Sequence, residues 1–149
     1  MTTDYLVSSL PAIAFGAPAP ISRERFREIV GDDGCALPPE WRDLETQLRN
    51  AVAEARGGER YKRPAEGCSI YWRDRVAACF QEKDVARRDE QLDRVWWDAA
   101  GELTSSASPL SRGALATYAV RLSIAIRRDA ISKDNGNAAF DRLTAETKR

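Results

Sequence analysis

Apolar residues recur every three or four positions along most of this chain, and this spacing constrains the fold more than any other feature. Between Glu40 and Arg56 the apolar positions are Trp41, Leu44, Leu48, Ala51, Val52 and Ala55. An α-helix turns once every 3.6 residues, so these positions form one continuous apolar face. No stretch combines the alternation, the β-branched residues and the tight turns that are typical of strands. The sequence therefore predicts an all-α fold.

Helix caps and helix breakers divide the pattern into five or six helices. Ser22 is a predicted N-cap for a short helix that ends at Val30, before Gly31-Asp32-Asp33-Gly34. Pro38 and Pro39 precede the next helix, and Gly57-Gly58 follows it. The helices are predicted at about 22–30, 40–56, 72–80, 84–103, 111–131 and 134–147, with a polar loop at 57–68 and a break at 104–109. We expect one helical bundle over residues 1–149.

The first twenty residues are predicted to form an N-terminal arm. Pro11, Pro18 and Pro20 prevent a continuous helix through this segment. The run from Tyr5 to Leu10 is too short for its periodicity to decide its structure. We expect it to be an extended segment or a short strand.

The charge balance argues against nucleic-acid binding. The 149 residues include 23 Lys plus Arg and 23 Asp plus Glu, so the formal net charge is zero. Binding to a nucleic-acid duplex depends on an excess of cations that displaces counterions. The densest basic stretch contains Arg56, Arg60, Lys62 and Arg63. Because it coincides with the Gly-containing loop, we interpret it as a solvated connection.

The available side chains argue against catalysis and metal binding. The chain has no histidine, which is the commonest general acid or base near neutral pH and the commonest metal ligand. Cys35, Cys68 and Cys79 lack the C-x-x-C spacing of a structural zinc site, and phosphate-binding and nucleophile motifs are absent. We predict no catalytic residue, no metal and no cofactor. A small enzyme that uses a carboxylate or a cysteine is the third of three hypotheses.

The hydropathy pattern predicts a cytoplasmic protein without direct membrane insertion. The most apolar window, 115–126, is interrupted by Arg121 and is too short to span a bilayer. The odd number of cysteines, without a recognisable signal peptide, is typical of reduced thiols in the cytosol.

Trp97 falls outside the apolar face of its predicted helix. At 100° per residue it points toward Glu90, Asp93, Arg94 and Gly101. One interpretation is a partner-binding anchor, with Arg94 beside it and Gly101 allowing a second backbone to approach. The other is that a further layer of this domain covers the indole, or that Arg94 lies on the ring.

The predicted helix at 111–131 is apolar on two sides. The main face contains Leu115, Tyr118, Ala119, Leu122 and Ile126, and a second stripe contains Val120, Ile124 and Ile131. A helix that is apolar all round is usually central and buried, and we favour that interpretation. The alternative is an exposed second stripe, which would make Val120 and Ile124 candidate partner contacts.

Five short motifs occur in an order that resembles a known bacterial family. They are Tyr5-Leu6-Val7-Ser8-Ser9-Leu10-Pro11 with Phe15-Gly16; Leu48-Arg49-Asn50-Ala51; Leu92-Asp93-Arg94 with Trp97-Asp98 and Glu102-Leu103; Leu115, Tyr118 and Arg121-Leu122 with Arg127 or Arg128; and Asp134 to Gly136 with Phe140. The family is encoded among the genes for V/A-type rotary ATPase subunits, near the position expected for the C-type stalk subunit, the d-type in eukaryotes. This chain departs from it at 108–113, where the family often has an acidic and aromatic segment.

The resemblance implies a non-catalytic helical component at the stalk of a rotary ATPase, whose partners would be other ATPase subunits. The family supplies no binding residues, so the candidate contacts come from helical geometry: Trp97, Gly101, Arg94, Val120 and Ile124. The alternative hypothesis is a free-standing helical adaptor or regulator that self-associates through the same patch.

Overall fold

Every regular element that the computed structural model describes is helical. It describes residues 2–104 and 110–147, without the side chains of residues 133–140, 146 and 147. The described residues contain six α-helices and no strand, which confirms the all-α prediction. The α-helices are α1 (Thr3–Ser9), α2 (Arg23–Cys35), α3 (Pro39–Ala55), α4 (Ile70–Cys79), α5 (Val85–Ala100) and α6 (Arg112–Thr147), and two short 3-10 helices span Glu59–Tyr61 and Gly101–Leu103.

The N-terminal arm begins with a helix, so the expectation of an extended segment or strand over Tyr5 to Leu10 is wrong. The Thr2 side chain caps α1 by accepting a hydrogen bond from the Tyr5 amide at 3.4 Å. Leu6 and its neighbours pack against α2 and α6, and this burial stabilises a helix that is too short to persist alone. Pro11 follows the helix, and the remainder of the arm is non-helical as predicted.

The short helix α2 begins at the predicted cap. The Ser22 hydroxyl accepts a hydrogen bond from the Arg25 amide at 3.1 Å. Gly31 has φ +75°, which interrupts regular helical geometry at the predicted place, although helical turns resume as far as Cys35. A positive φ of this kind favours glycine.

Two apolar clusters form the interior, and α6 lies between them. The first joins α3, α4 and α5 to Val120 and Ile124 on one side of α6. The second joins α1 and α2 to Leu115 and Leu122 on another side. Both apolar stripes of α6 are therefore covered, which confirms that α6 is central and buried. Ile131, the last member of the second stripe, is exposed.

The backbone of α6 continues without a break to Thr147, so the predicted division into helices at 111–131 and 134–147 is wrong. Adding residues to an existing helix is far easier than nucleating a new one, and no proline interrupts this segment. Gly136 lowers helix propensity by only about 1 kcal/mol relative to alanine. The break predicted at 104–109 is observed as a non-helical Thr104, and residues 105–109 lie outside the described residues.

Hydrogen bonds fasten the N-terminal segment to α6. The Tyr118 hydroxyl donates to the Pro11 carbonyl at 2.8 Å, and the Ala19 amide donates to Asp129 at 2.9 Å. Burial raises the pKa of Tyr118, so its hydroxyl stays protonated and able to donate. None of the described helices has the length and apolar character needed to cross a membrane.

Candidate functional site

Trp97 is a core residue, so the expectation that it is an exposed partner-binding anchor is wrong. Its side chain is 6% exposed. The Phe15 ring packs edge-on against the indole, and the Arg121 guanidinium lies over it at 5.2 Å from the ring centroid. Arg121 Nε also donates to the Trp97 carbonyl at 3.1 Å. The alternative interpretation, a further layer of the same domain, is the observed one.

The other candidate contacts divide between the interior and the surface. Val120 and Ile124 are 8% and 7% exposed, so neither is available to a partner. Gly101 faces the Arg121 side chain, and an added Cβ would lie 3.0 Å from Nη2. Arg94 remains on the surface. Helical periodicity gives the direction of a side chain around its own helix, but it does not show which segment packs opposite.

A turn in the N-terminal segment directs Phe15 onto Trp97. The Ala17 amide donates to the Ala14 carbonyl at 3.2 Å, and Gly16 has φ +84°. Such a turn requires a positive φ at its third residue, which glycine adopts without strain. Phe15-Gly16 therefore functions as a pair, with the glycine making the turn that places the ring.

Phe15 is also held between two cations. The guanidinium groups of Arg94, on α5, and Arg128, on α6, each lie 5.1 Å from the centroid of its ring. Each cation–π contact is worth about 0.5–2 kcal/mol, depending on its exposure. Phe15 thus links α5 and α6 although it belongs to neither helix.

Asp93 is the buried acidic residue of this cluster. It is 8% exposed, and its carboxylate accepts hydrogen bonds from Arg127 and, at 3.1 Å, from Arg128. Glu90 lies 3.7 Å from Arg128 at the surface. A buried carboxylate requires such partners, because an unpaired one is costly to desolvate.

A second set of charges joins α4 to α5. Asp98 pairs with Arg75 at 2.8 Å and with Arg94 at 3.2 Å. Trp72 donates its indole N–H to Glu102 at 2.8 Å, and Arg75 lies over the Trp72 ring. Burial lowers the pKa of Arg121, and the nearby Asp98 carboxylate opposes that effect. An arginine still keeps its charge at neutral pH.

These charges have a structural arrangement. The carboxylates of Asp93 and Asp98 are bound by arginines, and the Glu102 carboxylate accepts the Trp72 indole N–H. Within the described residues, no group of three or more His, Cys, Asp or Glu side chains is placed to hold a metal ion. A cavity of about 710 Å³ opens beside α1, the end of α2 and the start of α6, with Leu6 and Leu115 in its wall.

Sequence reasoning missed several residues of this arginine–aromatic cluster, which we define as Phe15, Asp93, Arg94, Trp97, Arg121, Arg127 and Arg128. Helical geometry singles out Trp97 and Arg94 but assigns no role to Phe15. The available signal was the motif order, because all seven residues belong to segments that carry the family resemblance. In the fold those distant segments contact one another.

Comparison of the chain with protein-family models, with curated proteins and with solved structures gave no match in any of the three. The motif order is therefore the one indication of a family. The contacts within the arginine–aromatic cluster are the second line of argument about function.

Proposed function

We propose that this protein is a non-catalytic component of a bacterial V/A-type rotary ATPase, either a structural subunit at the stalk or an assembly factor. The observation that carries the proposal is the convergence of the family motifs in the arginine–aromatic cluster. Phe15, Asp93 and Arg128 come from three distant motifs and contact the same group of side chains. Residues arranged in this way stabilise a shape, which is the requirement of a structural component.

The geometry of α6 suits a component that carries force. The helix has 36 residues, which corresponds to about 54 Å at 1.5 Å per residue. It is covered on two sides near its N-terminal end, and Tyr118 and Asp129 fasten the N-terminal segment to it. A long helix held by packing, hydrogen bonds and ion pairs resists bending better than a loop would.

The first test is affinity purification of the protein at native abundance from its own cells. The proposal expects V/A-type ATPase subunits to be recovered in a fixed ratio to the protein. Recovery of the protein alone, from cells that contain the assembled ATPase, would refute the structural-subunit assignment.

Arg94 provides the corresponding site test, because it is the candidate contact whose side chain remains exposed. Arg94→Glu is expected to reduce recovery of the ATPase subunits, and Arg25→Glu on α2 is the matched surface control. Circular dichroism on both variants checks that they fold. If Arg94→Glu recovers the subunits as well as the wild type does, Arg94 is not a contact residue.

Exposed apolar residues on α6 favour the alternative of a self-associating adaptor. Ile131 is 47% exposed and Leu143 is 63% exposed. Light scattering over a range of protein concentrations separates the two proposals. A concentration-dependent dimer that Ile131→Glu weakens would favour the adaptor, and a strict monomer would exclude it.

A further inference from the structure

The chain that follows α3 folds back along the outer side of that helix and forms an open groove of about 540 Å³. The floor contains Val52 and Ala53, and the rim contains Arg49, Arg56, Arg63 and the Tyr61 ring. Gly57, with φ +75°, reverses the chain at the end of α3. The basic stretch that the sequence suggested to be a solvated connection therefore borders a defined surface feature.

Side chains of α3 hold the loop in place, so the groove is formed before any ligand arrives. Asn50 Nδ2 donates to the Arg63 carbonyl at 2.7 Å, and the Arg63 amide donates to Asn50 Oδ1 at 2.8 Å. Asp43 accepts from the Glu66 and Gly67 amides, at 2.6 and 3.1 Å. A preformed site loses less conformational entropy on binding than a loop that must first become ordered.

The groove carries an excess of positive charge. Among its lining residues, Glu45 supplies the one carboxylate, and it is paired with Arg49 at 3.3 Å. Within residues 2–104 and 110–147, Arg56, Arg60 and Arg63 form no ion pair. Three guanidinium groups are therefore without a carboxylate partner on this side of a chain whose net charge is zero.

The arrangement of these cations indicates an elongated ligand. Arg49 and Arg56 are seven residues apart on α3, which places their Cα atoms about 10 Å apart along the helix axis. Cations spread in this way line a groove and do not converge on one phosphate group. Between them lie the partly buried Val52 and Ala53, and Tyr61 is 67% exposed at the edge. The surface thus combines an apolar floor with a basic rim.

We propose that this groove binds an acidic amphipathic segment of a partner protein. Carboxylates of the segment pair with Arg49, Arg56 and Arg63, and its apolar side chains rest on Val52 and Tyr61. Charge complementarity of this kind determines specificity and the rate of association. The partner is defined by its chemistry, so the proposal stands apart from the assignment to a rotary ATPase.

The test uses the full chain and two synthetic helical peptides of about 14 residues, the length of an average protein helix. One has Glu along one face and Leu along the other, and the second has Gln in place of every Glu. Anisotropy of the labelled peptides measures binding at about 50 mM and about 150 mM salt, because screening of exposed charges grows over this range. The Glu peptide is expected to bind at least roughly tenfold more tightly than the Gln peptide, with affinity falling as salt rises.

Variants locate the binding site. Arg63→Glu is expected to weaken Glu-peptide binding by about fivefold or more, because its backbone bonds to Asn50 remain while its charge is reversed. Arg25→Glu, an exposed arginine on α2, is expected to bind as the wild type does. Arg63→Gln replaces Arg63→Glu if the latter fails to fold.

Four results would overturn the proposal: no binding of the Glu peptide at the lower salt concentration, equal binding of both peptides, equal losses in the Arg63 and Arg25 variants, or tighter binding of inorganic pyrophosphate than of the peptide with the same dependence on Arg63. The last result would assign the groove to a phosphate ligand.

Discussion

The edge of the Phe15 ring meets the Trp97 indole, with 5.5 Å between the ring centroids and 75° between the ring planes. Such edge-to-face pairs contribute about 0.5–1.5 kcal/mol beyond the burial of their surface. The contact closes the N-terminal segment over α5 and covers the one tryptophan that helical spacing directs away from the main apolar face. It therefore explains why Trp97 is buried.

Replacing either ring should destabilise the protein. We expect Trp97→Ala to lower the free energy of unfolding by about 3–5 kcal/mol, and the half-buried Phe15→Ala by about half as much. Urea denaturation measures both, with Ile70→Ala as a control because Ile70 is 69% exposed. Wild-type stability in Trp97→Ala would contradict this packing. For the same reason, loss of a partner in Trp97→Ala would not identify a binding site.

Removing the charge of Asp93 should also be destabilising. Asp93→Asn weakens its bonds to Arg127 and Arg128, and we expect a loss of about 2–3 kcal/mol in the free energy of unfolding. Glu28→Gln is the matched control, because Glu28 pairs with Arg25 on the exposed surface, where such pairs contribute about 0–1 kcal/mol. Equal losses in the two variants would show that burial of Asp93 is unimportant.

Gly113 permits the first turn of α6 to pass close to Leu103. A Cβ added at Gly113 would overlap the Leu103 carbonyl oxygen, which is backbone and has little room to move. We expect Gly113→Ala to lower the free energy of unfolding by about 1–3 kcal/mol. Gly101→Ala is the comparison, because its Cβ would meet only the flexible end of Arg121. Thermal unfolding of both variants measures the difference, and a greater loss in Gly101→Ala would contradict the prediction.

The cysteines should differ sharply in reactivity. Burial raises the pKa of the Cys79 thiol, so less of the reactive thiolate is present at neutral pH, and the side chain is 5% exposed. We expect an alkylating agent to modify the exposed Cys68 in the native protein and to modify Cys79 only after denaturation. Mass spectrometry over a time course, repeated with Cys68→Ser, measures this order. Rapid modification of Cys79 in the native state would favour the hypothesis of a thiol enzyme.

Local signals predicted the middle of the fold well. Ser22 caps α2 as expected, and α3 ends before Gly57 within one residue of its predicted end. Caps and glycine turns depend on hydrogen bonds and backbone angles of adjacent residues, so they can be read from a short stretch. The start of α5 was predictable for the same reason, since Asp84 caps it through the Ala86 and Arg87 amides.

The incorrect expectations concern segments whose structure depends on distant contacts. Helix α1 is too short to be stable alone, and it forms where Leu6 and its neighbours pack against α2 and α6. The sequence near Asn135 favours a break, yet the backbone of α6 continues through it. Neither outcome is determined by the residues of the segment itself.

The sequence by itself determined the helical class, most helix ends and the residues that form apolar faces, because each follows from the period of the helix and from local backbone chemistry. Only the tertiary structure decided which of those residues stay exposed. Trp97 was expected at a surface because its own helix offers nothing to cover it, and Phe15 reaches it from a distant segment of the chain. The direction of a side chain is a local property, whereas its burial depends on what the rest of the chain places opposite.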